Sequence, residues 1–103
     1  LGEADTAEVL NTFLTDTAAK LTRIEADGQE RSVIKRDAHS MKSSAATFGF
    51  TQLSQLARTL EADAEAVPEA ALRERIGELR RAFEATLEFS RTNLLNAGSG
   101  ATT

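Results

Sequence analysis

The single histidine of this sequence, His39, is the side chain best suited to chemistry, because cations surround it at helical spacing. With about 100° between successive residues of a helix, the side chains that share its face one turn away are Lys35, Arg36, Lys42 and Ser43. A neutral imidazole near physiological pH keeps one ring nitrogen available as a nucleophile. Three cations would attract an anion to that nitrogen, and Lys42 at position i+3 would reach a group bonded to the ring. The pattern favours an exposed histidine that accepts a phosphoryl group.

The same residues also fit a histidine without a chemical role, since an exposed helix face with Lys and Arg is common. In that alternative the chain is a non-catalytic helical adaptor. Metal ligation has less support, because no Asp, Glu or His lies three or four residues from His39. The sequence also has no nucleophile elbow and no phosphate-binding glycine loop, so hydrolysis of esters or nucleotides is not indicated. We expect no metal and no cofactor bound by this chain.

Composition excludes several further classes of protein. The 103 residues contain no cysteine, which excludes disulfide frameworks, zinc fingers and thiol catalysis. Sixteen acidic against twelve basic residues give a net charge of −4, whereas nucleic-acid binders are usually basic. No apolar run approaches the roughly 18 residues of a membrane span, and no signal peptide opens the chain. We expect one cytoplasmic domain without nucleic-acid or membrane partners, and the initial Leu1 in place of Met suggests a longer parent protein.

Apolar residues recur at three- and four-residue steps, and the sequence is rich in good helix formers, which predicts an all-α domain. Breaks at residues 27–28, 49 and 67–68 divide the chain into four segments, at about 5–26, 30–48, 51–66 and 68–96. Each segment carries an apolar stripe. The stripe of the first segment contains Val9, Phe13, Leu14, Leu21 and Ile24, with Leu10 at its edge, and that of the second contains Val33, Ile34, Ala38, Met41, Ala45 and Phe48. The stripe of the third segment contains Leu53, Leu56, Ala57 and Leu60, fading into Ala62 and Ala64. The stripe of the fourth contains Leu72, Ile76, Leu79, Phe83, Leu87, Ser90 and Leu94.

Local signals indicate where the helices begin and end. Asp5 with Glu8 three residues later resembles a capping box, and Thr51 is suited to cap the third helix. Pro68 suits the first position of the fourth helix, and Gly49 suits the left-handed residue that ends the second.

Four amphipathic helices with short connections bury their stripes most simply against each other. We therefore predict a monomeric, up-down-up-down antiparallel four-helix bundle over residues 1–96, followed by a flexible tail over residues 97–103. The alternative is a helical hairpin that dimerises through its fourth helix, whose stripe is narrow enough for a coiled-coil seam.

Residues 38–49, which read AHSMKSSAATFG, resemble the signature of histidine-containing phosphotransfer (HPt) domains, roughly A-H-x-L-K-G-S-S-x-x-x-G. The family's continuation into the next helix is a series of leucines closed by L-E. The residues that match it in register are Leu53, Leu56, Leu60 and Glu61. The resemblance covers residues 38–61 closely and the remaining chain through its helical pattern.

The resemblance implies a role for each matching position. His39 matches the histidine that takes a phosphoryl group from an aspartyl phosphate on one receiver domain and passes it to another. Lys42 matches the lysine that steadies the phosphoryl oxygens. Gly49 matches the glycine that closes the motif, and Glu61 matches a flanking glutamate or glutamine on the third helix. The family's fold is a four-helix bundle.

Two positions depart from the family pattern. Ser43 replaces a glycine beside the histidine, where a receiver domain approaches closely, and Met41 replaces a leucine in a volume-conserving exchange. Neither change removes a group that the transfer needs. The resemblance thus implies a phosphoryl carrier without kinase or ATPase activity. Its expected partners are response-regulator receiver domains, which supply the aspartate and Mg²⁺, with a hybrid histidine kinase as a further candidate.

Overall fold

Four α-helices joined by short connections form the described part of the chain, which in this computed structural model covers the backbone of residues 3–95 and the side chains of residues 6–93. The helices are α1 (Glu3–Glu25), α2 (Arg31–Thr47), α3 (Thr51–Asp63) and α4 (Glu69–Phe89). The π-helical segment Ser90–Leu95 extends α4. Residues 3–95 contain no β-strand, so the all-α prediction is confirmed. None of these helices is long and apolar enough to cross a membrane.

The helices pack as a closed bundle, in which α1 contacts α2 and α4, and α3 contacts α2 and α4. Residues early in one helix meet residues late in its neighbour, as expected for antiparallel pairs. Arg31 at the start of α2 donates a hydrogen bond to the carbonyl of Ala64, just beyond the end of α3, at 3.0 Å. Ser54 near the start of α3 donates to the carbonyl of Lys42 in the second half of α2 at 2.9 Å. This arrangement brings the outer faces of α2 and α3 side by side.

The buried core follows the apolar stripes, with two corrections. Ala62, predicted at the fading end of the third stripe, is exposed because it lies roughly opposite the buried Leu60 on the helical wheel. The other correction is in α1. Leu21 and Ile24 are fully buried there, and Leu10, placed at the edge of the stripe, is 5% exposed. Val9 was predicted in the core and is instead 53% exposed. The positions of these residues around the helix axis explain the difference, because Leu10 and Thr17 lie near the centre of the buried face, whereas Val9 lies about 90° away from it.

Gly49 ends α2 as predicted, with a φ of +79° that favours glycine. The amide of Gly49 donates to the carbonyl of Ala46 at 3.0 Å, and the amide of Phe50 donates to that of Ala45 at 2.9 Å. These two bonds define a Schellman motif, which satisfies carbonyls at the end of the helix. The chain therefore turns into α3 within three residues, and this holds the two helices close together.

Three predicted helix starts are wrong by one to three positions. Asp5 lies inside α1, which begins at Glu3, so it is not the capping residue. Thr51 is the first residue of α3, after an N-cap at Phe50 that makes no side-chain capping bond. Pro68 precedes α4 as its N-cap, where its extended backbone and its carbonyl, which accepts the Leu72 amide at 2.9 Å, begin the helix. A capping residue is a local signal, and it locates a helix start only to within a few residues.

Ion pairs connect α4 to both of its neighbours. Arg80 forms two hydrogen bonds to the carboxylate of Glu25 at the end of α1, at 2.6 and 2.8 Å. Arg75 donates to Asp63 at the end of α3 at 2.7 Å. The predicted tail over residues 97–103 and the side chain of Leu94 lie outside the described residues.

Candidate functional site

His39 lies on the outer face of α2, opposite the buried side of that helix. Its side chain is 62% exposed, in agreement with the helical wheel, while the neighbouring Ala38 and Met41 are buried. The buried residues fix the rotation of α2 about its axis, so the imidazole is directed outward by packing that involves none of its own atoms. Such an imidazole is open to an approaching macromolecule.

Glu61 of α3 connects His39 to Lys42. One carboxylate oxygen, Oε2, lies 2.8 Å from Nδ1 of His39, and the other, Oε1, lies 2.7 Å from Nζ of Lys42. Glu61 and Lys42 are partly buried, with 21% and 29% of their side chains exposed. The three side chains form one polar cluster across the α2–α3 contact, and the geometry brings together three of the residues that the sequence singled out.

Glu61 is held in its ionised form. The hydrogen bond from Lys42 is the main cause of a pKa below the ordinary value of 4.5, and the contact with His39 acts in the same direction. Partial burial opposes both by penalising the charge. An ionised carboxylate accepts hydrogen bonds and donates none, so a neutral His39 paired with it carries its proton on Nδ1. The lone pair of the imidazole is then on Nε2, away from Glu61.

The other predicted cations do not join this cluster. Lys35 forms an ion pair with Glu65 at 3.1 Å, with both side chains about half exposed. Arg36 is 68% exposed, and its Nε lies 3.8 Å from Oδ1 of Asp37. They flank the histidine on α2, one turn before it, and neither forms a hydrogen bond or an ion pair with the ring.

Ser43 lies on the surface beside His39, whereas Gly49 lies in the turn after α2. Ser43 is exposed on the same face as His39, and its carbonyl accepts a hydrogen bond from the Thr47 hydroxyl at 3.0 Å. A serine in place of the family's glycine therefore adds a small polar group to the surface beside the ring. Gly49 lies ten residues beyond His39, after the end of α2, and shapes the turn into α3.

The sequence interpretation missed an ion pair with a buried carboxylate close to the site. Asp37 is 2% exposed, and its carboxylate accepts two hydrogen bonds from Arg23 of α1, at 2.7 and 2.9 Å. The wheel contained a signal for this, because Asp37 falls among the apolar positions of α2 rather than on the charged face. A carboxylate at such a position requires a cation from a neighbouring helix. The pair joins α1 to α2 two residues before His39.

Comparison with protein-family models gives one finding for this chain. The model of the Hpt domain matches residues 8–89, which include α1 from Glu8 onward, the whole of α2, α3 and α4, and the cluster of His39, Lys42 and Glu61. No curated protein and no solved structure matches the chain at a significant level.

Proposed function

Because the chain belongs to the Hpt domain family, whose members transfer phosphoryl groups through a histidine in phosphorelays, we propose that His39 is the phosphoryl carrier of this chain. It accepts the group from an aspartyl phosphate on one receiver domain and passes it to an aspartate on another. The observation that carries the proposal is the contact of an exposed imidazole with an ionised carboxylate, Nδ1 to Oε2 at 2.8 Å.

In the transfer, the Nε2 lone pair of His39 attacks phosphorus. The bond between phosphorus and the aspartyl oxygen breaks, and its electron pair leaves with the aspartate carboxylate. The imidazole gains positive charge as the new bond forms, because its Nδ1 proton stays in place. Glu61 offsets that charge from 2.8 Å, as the carboxylate beside a catalytic histidine does in hydrolases. The return step to a second aspartate reverses these bonds.

Lys42 supplies the positive charge for the phosphoryl oxygens. Phosphoryl transfer depends chiefly on alignment and on neutralisation of charge, and the protein contributes little covalent chemistry. The ammonium of Lys42 carries three N–H donors, and the bond to Glu61 at 2.7 Å uses one of them. The remaining donors can reach a group on the imidazole one turn away. Glu61 thus orients both the nucleophile and the cation that serves it.

The proposal assigns Mg²⁺ and the acceptor aspartates to the receiver domains and no kinase activity to this chain. A hybrid histidine kinase is one source of such a receiver, and the monomeric state and the cytoplasmic location expected from the sequence belong to the same proposal. The chain acts as a carrier that is loaded and unloaded by its partners.

The test is transfer of label from a phosphorylated receiver. The purified protein should remain unlabelled with Mg²⁺ and ATP alone and should gain acid-labile label when a phosphorylated receiver is added. His39→Gln should gain none. Its stability should stay within about 0.5 kcal/mol of the wild type, because the replaced side chain is exposed.

Three outcomes of that test are informative. Acid-labile label on His39→Gln, or label from ATP in the absence of any kinase, contradicts the proposal. An unlabelled wild type with a range of receivers favours the adaptor alternative. A large loss of stability in His39→Gln would show that the imidazole serves the fold.

A further inference from the structure

Much of the positive charge around His39 is neutralised by two carboxylates, one in α3 and one two residues beyond its end. Lys42 lies 2.7 Å from Glu61, and Lys35 lies 3.1 Å from Glu65. In a chain whose net charge is −4, such paired lysines add little to the field that an approaching anionic domain meets. An unpaired cation near the site would strengthen the electrostatic attraction of that partner.

Arg58 of α3 has the required position and charge. It lies three residues before Glu61 and four after Ser54, whose hydroxyl donates to the carbonyl of Lys42 at 2.9 Å. Residues at this spacing share one face of a helix, so Arg58 lies between two contacts of α3 with the site-bearing part of α2. It is exposed, and within residues 6–93 its guanidinium forms no ion pair or hydrogen bond.

We propose that Arg58 is a docking residue for the phosphorylated receiver domain, a role that rests on the proposed function. The surface around an aspartyl phosphate is anionic, and a guanidinium binds carboxylates or phosphate with two parallel hydrogen bonds. Arg58 contacts the rim of that surface and leaves the transferred group to Lys42, because it lies on the neighbouring helix one turn from Glu61. On the other side of His39, the 68% exposed Arg36 provides a second cation.

A docking charge at a rim changes the rate of association more than the chemical step. We therefore expect Arg58→Gln to lower kcat/KM for the phosphorylated receiver by about three- to tenfold at low salt, with kcat at saturation unchanged. The dependence of kcat/KM on ionic strength should also become weaker, because screening acts on one charge fewer. Arg58→Lys keeps the charge and should retain most of the salt dependence.

The experiment measures transfer by rapid quench over a series of receiver and salt concentrations. The wild type is compared with Arg58→Gln, Arg58→Lys and Arg81→Gln. Arg81 is the matched control: it is an exposed arginine on α4, at a surface shared with Gln52, Leu56 and Glu78, and its substitution changes the net charge equally. Thermal unfolding of all four proteins shows whether they are equally folded.

The outcomes separate this proposal from the proposed function. If the wild type is labelled and Arg58→Gln has the same kcat/KM and salt dependence as Arg81→Gln, the docking role is wrong and the carrier function stands. A lower kcat at saturation, or a shorter phosphohistidine lifetime with unchanged KM, also overturns it, because Arg58 would then act on the phosphoryl group. If the wild type takes no label from any receiver, the carrier function fails, and the docking role fails with it.

Discussion

Two interhelical contacts of this bundle are each built on a glutamate carboxylate, and they differ in the side chains that bind it. At the α1–α4 contact, both oxygens of Glu25 are held by Arg80, at 2.6 and 2.8 Å. At the α2–α3 contact, Glu61 divides its oxygens between Lys42 and His39, at 2.7 and 2.8 Å. Hydrogen bonds, from Arg80 and from Lys42 respectively, lower the pKa of both carboxyl groups.

The difference lies in the groups that remain available after each carboxylate is satisfied. The guanidinium of Arg80 uses its donors on Glu25 and Glu84, so this contact joins helices and offers no nucleophile. At Glu61 the imidazole keeps Nε2 for other chemistry, on a side chain that is 62% exposed. A lowered carboxyl pKa therefore does not distinguish a structural from a functional pair. The exposed partner with an unused lone pair does.

Among the substitutions that test this comparison, Lys42→Ala should have the largest effect on the rate of phosphoryl transfer. A hydrogen bond to a charged group contributes about 1.5–3 kcal/mol, so loss of the ammonium should slow transfer to His39 by about 10- to 150-fold. Lys35→Ala removes the same charge from the same helix, but its ammonium is bound to Glu65 and does not touch the cluster. Single-turnover labelling of both variants with one receiver measures the difference.

Equal effects of the two lysine substitutions would contradict the role of Lys42. A small and equal loss would show that the cations act as a general field around His39. An equal and large loss would show that Lys35 also reaches the phosphoryl group in the complex.

A smaller effect is expected from Glu61→Gln. The imidazole would lose the negative charge that offsets its own positive charge during transfer, and the rate should fall about tenfold, which corresponds to about 1.4 kcal/mol. Glu25→Gln makes the identical change at the α1–α4 contact and should leave transfer unaffected. If both variants transfer at the wild-type rate, the carboxylate of Glu61 serves the packing of α3 on α2 alone.

Glu25→Gln should instead change the dependence of stability on pH. A carboxyl group whose pKa is lowered by folding stabilises the native state above its ordinary pKa, here 4.5, and loses that contribution as the pH falls through the lowered value. The variant should unfold at a lower urea concentration at neutral pH, and its midpoint should fall less than that of the wild type below pH 4.5. Parallel acid dependence in the two proteins would show that Arg80 does not stabilise the ionised form of Glu25.

The sequence predicted the features of the fold that depend on local pattern. The apolar stripe of α2 and the glycine at its end determine which way His39 faces and where the chain turns, and both are readable from the order of residues. The motif from His39 to Glu61 predicted the three residues that the structure brings together in the candidate site. These signals lie within one helix or between two consecutive helices.

The features that the sequence did not predict depend on how separate helices meet. Asp37 is buried because Arg23 of α1 reaches it, and the pairing of Lys35 with Glu65 depends on the register of α2 against α3. No spacing within one helix specifies such contacts. The pattern around His39 therefore treated Lys35 and Lys42 as unpaired cations, and it did not single out Arg58, which occupies none of the positions that the motif specifies.

The smallest expected effect compares two serine hydroxyls, one beside the site and one remote from it. Ser54 donates to the carbonyl of Lys42 at 2.9 Å, whereas Ser90 is fully buried and its hydroxyl has no hydrogen-bond partner among the described residues. Serine to alanine gains similar helix propensity at both positions, so the difference between the variants reports on the hydroxyls. The free energy of unfolding of Ser54→Ala should be about 0.5–1.5 kcal/mol lower than that of Ser90→Ala. Ser90→Ala itself should be as stable as the wild type or more stable by up to about 1 kcal/mol, because an unpaired buried hydroxyl is removed. Urea unfolding of both variants measures this difference, and a destabilisation of Ser90→Ala as large as that of Ser54→Ala would show that the Ser90 hydroxyl has a partner in solution.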